Sequence, residues 1–98
     1  MEFTEPLEVG FTIYSKSGCQ NCNKVKTLLK ENNQQFIIVD CDDYIIEDKE
    51  NFLLFIKERA EKEYNMFPMV FYNRLFVGGY TETKKYIEKE FVNFDDNF

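Results

Sequence analysis

The chain has 98 residues, 44% hydrophobic and 17% aromatic, the size and composition of one small globular core. Its formal charge of −6 argues against nucleic acid as a partner, because phosphate binding needs a concentrated surplus of Lys and Arg. It has no His, which removes Ser-His and Cys-His hydrolases and most zinc enzymes, and its three Cys do not make the even, dispersed framework of a secreted scaffold.

The opening Met1-Glu2-Phe3-Thr4-Glu5-Pro6 is acidic and poor in apolar residues, the reverse of a secretory signal. No later run approaches the ~20 apolar residues that span a membrane. A soluble protein of the cytoplasm, with no membrane partner, is the expectation. A surplus of Asn, Lys, Ile and Phe beside a single Ala fits an AT-rich genome, such as that of a parasite or a large DNA virus, whose protein would work in the host cytoplasm.

Val9-Gly10-Phe11-Thr12-Ile13-Tyr14 is short, β-branched and aromatic, and stops at Ser15-Lys16-Ser17-Gly18, which reads as a strand running into a loop. From Cys22, the apolar positions Val25, Leu28 and Leu29 recur at helical spacing among Lys24, Lys26, Lys30 and Glu31, and Asn32-Asn33 supplies an end. Phe36-Ile37-Ile38-Val39 is an unbroken apolar run closed by Asp40 to Asp43, the pattern of a central parallel strand covered on both faces. Together they predict a right-handed βαβ unit. A second helix is predicted from about Glu47 to Glu63, with Phe52, Phe55, Ile56 and Ala60 as its apolar stripe.

Pro68 interrupts, and Met69-Val70-Phe71-Tyr72 and Leu75-Phe76-Val77 flank a tight Asn73-Arg74 turn as a hairpin. Gly78-Gly79 then leads into a last helix from about Thr81, a natural N-cap, with Ile87 and Phe91 facing the core. The tail Asn93 to Phe98 is expected to be mobile, its Asp95-Asp96 pair a solvating end. The order β-α-β-α-β-β-α describes an α/β fold, a mixed four-stranded sheet with helices on both faces. One domain is expected over residues 1–98, with its core at about 8–92 and short flexible termini. Most aromatics, Phe52, Phe55, Phe71 and Tyr72 among them, are expected to be packing.

The chemistry lies at the first strand-to-helix junction. Gly18-Cys19-Gln20-Asn21-Cys22 puts one cysteine at a helix N-terminus and another a turn further in, a spacing that lets the two sulfurs meet in a small disulfide ring. Unpaired backbone N–H groups and the helix dipole would stabilise a thiolate at Cys19, lowering its pKa from about 8.5 to roughly 3.5–7.5, while Cys22 is more shielded. Lys16, Lys24, Lys26 and Lys30 stand in a stretch without an acid and add a positive field, Lys24 and Lys26 as a solvated helix face. Cys19 is the expected nucleophile and Cys22 the resolving thiol. The same C-x-x-C could be half of a zinc site, but only Cys41 is left to complete it besides carboxylates, so no metal is expected. Cys41, between Asp40 and Asp42-Asp43, is read as structural because neighbouring negative charge opposes its thiolate.

Tyr14-Ser15-Lys16-x-x-Cys19-x-x-Cys22 resembles the active-site segment of glutaredoxins, members of the thioredoxin-like superfamily. Phe67-Pro68 before a strand resembles the family's Val-Pro step, and Gly78-Gly79 after the hairpin its double glycine, so the likeness spans about Phe11 to Phe91. The resemblance implies the thioredoxin-like fold, a cis peptide before Pro68, and glutathione as reductant in a groove of Lys16, Phe67, Pro68, Gly79, Tyr80, Thr81 and Glu82. In that groove Lys16 would meet the glycine carboxylate of glutathione and the turn at Gly79 its γ-glutamyl carboxylate. Thr81, and more mildly Glu82, depart from the acidic residues common in that stretch of the family. The larger departure is Gln20-Asn21, where dithiol members commonly carry Pro-Tyr.

The activity implied is glutathione-dependent reduction of protein disulfides or of glutathionylated proteins by a monomer. Three other readings stay open on sequence. One is a thioredoxin-like redoxin reduced by a flavoprotein, although no Trp-Cys-Gly-Pro-Cys segment is present. The second is an iron–sulfur cluster carrier. The third is a non-catalytic binding module in which the cysteines are structural.

Overall fold

In a computed structural model that describes residues 1–91, the elements are β1 (Phe11–Ser15), α1 (Gln20–Glu31), β2 (Phe36–Asp40), α2 (Asp42–Ala60), β3 (Met69–Tyr72), β4 (Leu75–Gly78) and α3 (Tyr80–Glu90). This is the predicted order. The sheet runs β2-β1-β3-β4, with β1 parallel to β2 and antiparallel to β3, and β3 antiparallel to β4. Asn73 and Arg74 both take positive φ, the geometry that lets a two-residue turn follow the twist of the hairpin strands. The result is a mixed four-stranded sheet with helices on both faces, the architecture the resemblance implied, and no described helix is long and apolar enough to cross a membrane.

Alternation along β1 explains the layering. Phe11 and Ile13 point to one face, where Val25 and Leu29 of α1 and Ile87 of α3 pack against them, while Tyr14 points to the other, onto Phe52, Ile56 and Ala60 of α2. The expected tail Asn93 to Phe98, with Asp95-Asp96, and the far edge of the expected core at residue 92 lie outside the described residues.

Four particulars depart from expectation. The Phe36–Val39 run is an edge strand, not a central one: Ile37 is 36% and Ile38 47% exposed, because the helices cover β1 and β3 and only β1 pairs with β2. Helix α2 is kinked at Asp48 (φ −155, ψ 51): the helix expected from about Glu47 is the part beyond the kink, an unforeseen helical stretch from Asp42 precedes it, and the end comes at Ala60, three short of Glu63. Asp42 and Asp43 favour the positive end of a helix, Asp40 Oδ1 accepts the Asp42 N–H at 3.0 Å, and Glu61 in the left-handed region stops the last turn.

Helix α3 is capped by Gly79 rather than Thr81, since Glu82 at its third position reaches back to the Gly79 N–H at 2.9 Å. Its Ile87 is buried as expected, whereas Phe91 sits at the rim of the core against Phe11, Tyr72 and Tyr86. Finally, the N-terminal residues placed outside the core pack on it. Phe3 sits edge-on to Tyr44 at 4.9 Å and to Phe52 at 5.5 Å, Tyr14 Oη donates to Thr4 O at 2.6 Å, and Arg59 holds Glu5 through Nε at 2.7 Å and Nη2 at 2.6 Å.

Candidate active site

The C-terminal ends of β1 and β2 open onto the loop Lys16–Gly18, which delivers the chain to α1. Gly18 takes φ +72, a conformation L side chains rarely adopt, and the chain then enters the helix with Cys19 as the N-cap residue. Cys19 Sγ receives the Cys22 N–H at 3.1 Å. Cys22 lies one turn in, its Cα 5.2 Å from that of Cys19, and the two form a disulfide. They differ in exposure: Cys19 is half-buried and Cys22 fully buried. The first turn of α1 carries no acid, so the backbone N–H groups and the lysines set the local field.

The loop is anchored from the neighbouring element. Asp42, the first residue of α2, accepts the Ser17 N–H at 2.9 Å through Oδ1 and the Ser17 hydroxyl through Oδ2. Those two hydrogen bonds, with the charge of Lys16 nearby, hold the Asp42 carboxyl below the usual carboxylate range. Sequence reasoning missed this clamp, because Asp40 to Asp43 read as a loop that merely closed a strand.

The expected groove residues gather on the side of β3 and α3. The Phe67–Pro68 peptide is cis, as the resemblance implied. Lys16 Nζ lies 6.0 Å from the centre of the Phe67 ring, and Phe67 stacks in turn on Phe52. Gly79 lies beside Pro68: a Cβ built on it would stand 3.7 Å from Pro68 O and 2.9 Å from Tyr64 Oη, so only glycine fits without a shift. Gly78, at φ +131, would clash with Glu82 if it bore a Cβ. Tyr80 opens α3 with Lys24 Nζ 5.7 Å from its ring centre, a second cationic contact that sequence reasoning left as a solvated face. Thr81 and Glu82 are exposed in the first turn, Glu82 with its carboxylate on the Gly79 N–H. Tyr64 was not foreseen either, since nothing in Glu63-Tyr64-Asn65 marks a site.

On the opposite side of Cys19, a pocket of about 230 Å³ is lined by Lys16, Asn23, Lys26, Ile38 and Asp40 as well as Cys19 itself. Of the expected groove residues only Lys16 reaches it. Among the described residues, no group of three or more His, Cys, Asp or Glu is placed to hold a metal.

Cys41 is apart from this chemistry. It is fully buried, its N–H bonds Ser15 O at 2.8 Å and its thiol faces Val39 O at 3.4 Å. Burial first, with Asp40 and Asp42 adding to it, pushes its pKa up to about 12. After reduction at pH 7, a maleimide is expected to label Cys41 at least about a hundredfold more slowly than Cys19 until denaturant is added, because reaction needs an accessible thiolate. Raising the pH ionises this thiol in the unfolded chain first, so folding stability should fall from about pH 9 upward, and Cys41→Ala should flatten that fall between pH 9 and 10 in urea titrations. Equal labelling of Cys41 in the native protein would refute the assignment.

Comparison with known proteins agrees with this geometry. A family model described as Glutaredoxin matches residues 11–77. No curated protein matches the sequence. Among solved structures, glutaredoxin 1 from Francisella tularensis, complexed with cacodylate, aligns with a TM-score of 0.71 at 27% identity over 81% of this chain and 92% of that one. Reduced Escherichia coli glutaredoxin aligns with a TM-score of 0.64 at 22% identity over 82% and 94% of the two chains. A buckwheat glutaredoxin–glutathione complex aligns with a TM-score of 0.63 at 18% identity, over 78% of this chain and 66% of that one. With the matched segment running from β1 into β4 and a cysteine pair bonded at the head of α1, the chain belongs to the glutaredoxin family and is a thiol–disulfide oxidoreductase.

Proposed function

We propose that the protein reduces protein disulfides or protein–glutathione mixed disulfides at the expense of glutathione, with Cys19 as nucleophile and Cys22 as resolving thiol. The observation that carries this reading is the asymmetry of the pair: Cys19 is half-buried at a helix N-cap, and Cys22 is fully buried inside the same helix. A thiolate at Cys19 attacks a disulfide sulfur, one thiolate leaves, and a mixed disulfide remains on Cys19. On a protein disulfide, Cys22 attacks Cys19 Sγ, the protein thiolate leaves, and two glutathiones in turn reduce the Cys19–Cys22 disulfide to give glutathione disulfide. On a glutathionylated protein, the protein thiolate leaves first and a second glutathione attacks the Cys19–glutathione bond, restoring the Cys19 thiolate with release of glutathione disulfide. One glutathione disulfide formed per substrate disulfide balances the electrons.

Glutathione would lie along the Phe67–Pro68 step, its glycine carboxylate near Lys16. Its γ-glutamyl carboxylate would meet the first N–H groups of α3 at Tyr80 and Thr81, which have no acceptor within the helix. Glu82, by capping Gly79, holds that turn in place. The glutathione bound by the buckwheat relative supports this choice of thiol. The partners are then glutathione and disulfide-bearing or glutathionylated proteins, met by a monomer in the cytoplasm.

The test is coupled turnover of a small glutathione mixed disulfide with glutathione and its reductase. Wild type should saturate in glutathione, and Lys16→Glu should raise the KM for glutathione about fivefold with a smaller change in kcat. A wild type inactive with glutathione yet turned over by a thioredoxin-type flavoprotein reductase would refute the proposal.

A further inference from the structure

The pocket on the β2 side of Cys19 shares only Lys16 with the proposed glutathione groove: Phe67, Pro68, Gly79, Tyr80, Thr81 and Glu82 do not line it. Two observations indicate what it takes. Its lining sets two cations, Lys16 and Lys26, against one carboxylate, Asp40, whose Oδ1 accepts the Asp42 N–H, and among the described residues neither lysine is in an ion pair. Its floor includes Ile38, 47% exposed on an edge strand whose outer backbone groups have no partner strand among the described residues.

We propose that this pocket seats the polypeptide half of the mixed disulfide, an extended segment with an acidic residue beside its cysteine, and that Lys26 and Ile38 determine this specificity. The inference rests on Cys19 being the nucleophile. The two halves of a protein–glutathione disulfide then lie on opposite sides of its sulfur. Lys26 meets the acidic side chain, Ile38 covers an apolar one, and the β2 edge offers backbone hydrogen bonds to an extended chain.

The experiment uses Cys22→Ser protein and short peptides whose single cysteine is joined by a disulfide to thionitrobenzoate. The Cys19 thiolate attacks the peptide sulfur, that S–S bond breaks, thionitrobenzoate leaves with the electron pair, and a Cys19–peptide disulfide forms. Rates are divided by the rate for the same adduct of N-acetylcysteine, so that a changed reactivity of Cys19 itself cancels. A peptide with Glu beside Cys should react about fivefold faster than one with Lys there, and Lys26→Glu should reverse the order, an effect the size of an exposed ion pair that shrinks with salt. Ile38→Ser should slow both peptides about threefold relative to N-acetylcysteine. Ile38 is exposed and Lys26 half-buried outside the core, and far-UV circular dichroism and melting of both variants confirm that the fold is kept before rates are compared.

Identical peptide ratios in the three proteins would overturn the proposal. The reaction contains no glutathione, so its failure is distinct from failure of glutathione dependence. A protein that prefers the Glu peptide yet shows no glutathione turnover keeps this subsite and loses the function proposed above.

Discussion

Cys19→Ser is expected to abolish coupled turnover, by at least about a thousandfold, whereas Cys22→Ser should keep a tenth or more of it with small glutathione mixed disulfides. The difference follows from where each sulfur sits. Cys19 is the N-cap of α1 and is reached from solvent, and a serine hydroxyl there cannot ionise near neutral pH to attack a disulfide. Serine is among the preferred N-cap residues, so the same substitution leaves the helix start intact and the loss can be assigned to chemistry rather than to unfolding. Cys22 is fully buried and, as the proposed resolving thiol, would act only on an intermediate that external glutathione could also resolve. Placing a hydroxyl there costs some stability, on the order of 1–3 kcal/mol, so its activity is read well below its melting temperature. Retention of more than a tenth of wild-type turnover by Cys19→Ser would remove it from the chemistry and leave a structural cysteine pair.

The site was legible where its chemistry is local in the chain. Four residues, Cys19 to Cys22, carry the spacing, and the strand signal before them and the helical periodicity after them fix where the pair stands. The hairpin was equally legible, because Asn73-Arg74 separates two β-rich runs by two residues. Reading the cis peptide at Pro68 and the turn at Gly79 required the family resemblance, since either residue alone has an ordinary explanation.

What stayed hidden depends on partners distant in sequence. Ser17 and Asp42 are 25 residues apart, and nothing in either segment announces the other. The Phe36–Val39 run reads as a buried strand because side-chain character says nothing about which edge of a sheet a strand occupies. Phe3 looked like part of a dispensable acidic terminus, yet its docking site is assembled from Tyr44, Phe52 and Phe55, on both sides of the kink in α2. Thr81 lost the capping role to Gly79 because the Glu82 carboxylate accepts the Gly79 N–H one turn earlier, a contact that the residue types permit but do not require.

The residue that ties these parts together is Phe52, and Phe52→Ala should destabilise the protein by about 3–5 kcal/mol. Its side chain is fully buried, with the rings of Tyr44 at 5.3 Å, Phe3 at 5.5 Å, Tyr14 at 6.1 Å and Phe55 and Phe67 each at 6.3 Å. A small domain has only about 5–15 kcal/mol in hand, so the melting temperature should drop on the order of 20 °C, whereas Phe52→Leu, which keeps most of the volume, should cost less than about 1.5 kcal/mol. Urea and thermal titrations read both, and a loss below about 1 kcal/mol for the alanine variant would show that the aromatic cluster closes over the gap. The loss should also reach the site by one route and not another. Phe67 lies parallel to Phe52, with 6° between the ring planes, so truncation frees the step where glutathione is proposed to lie, while Cys19 is held from the opposite side by Ser17 and Asp42. In the folded fraction the KM for glutathione should therefore rise while the rate of Cys19 with a small activated disulfide stays near wild type. Equal slowing of both would mean that Phe52 supports the site only by keeping the chain folded.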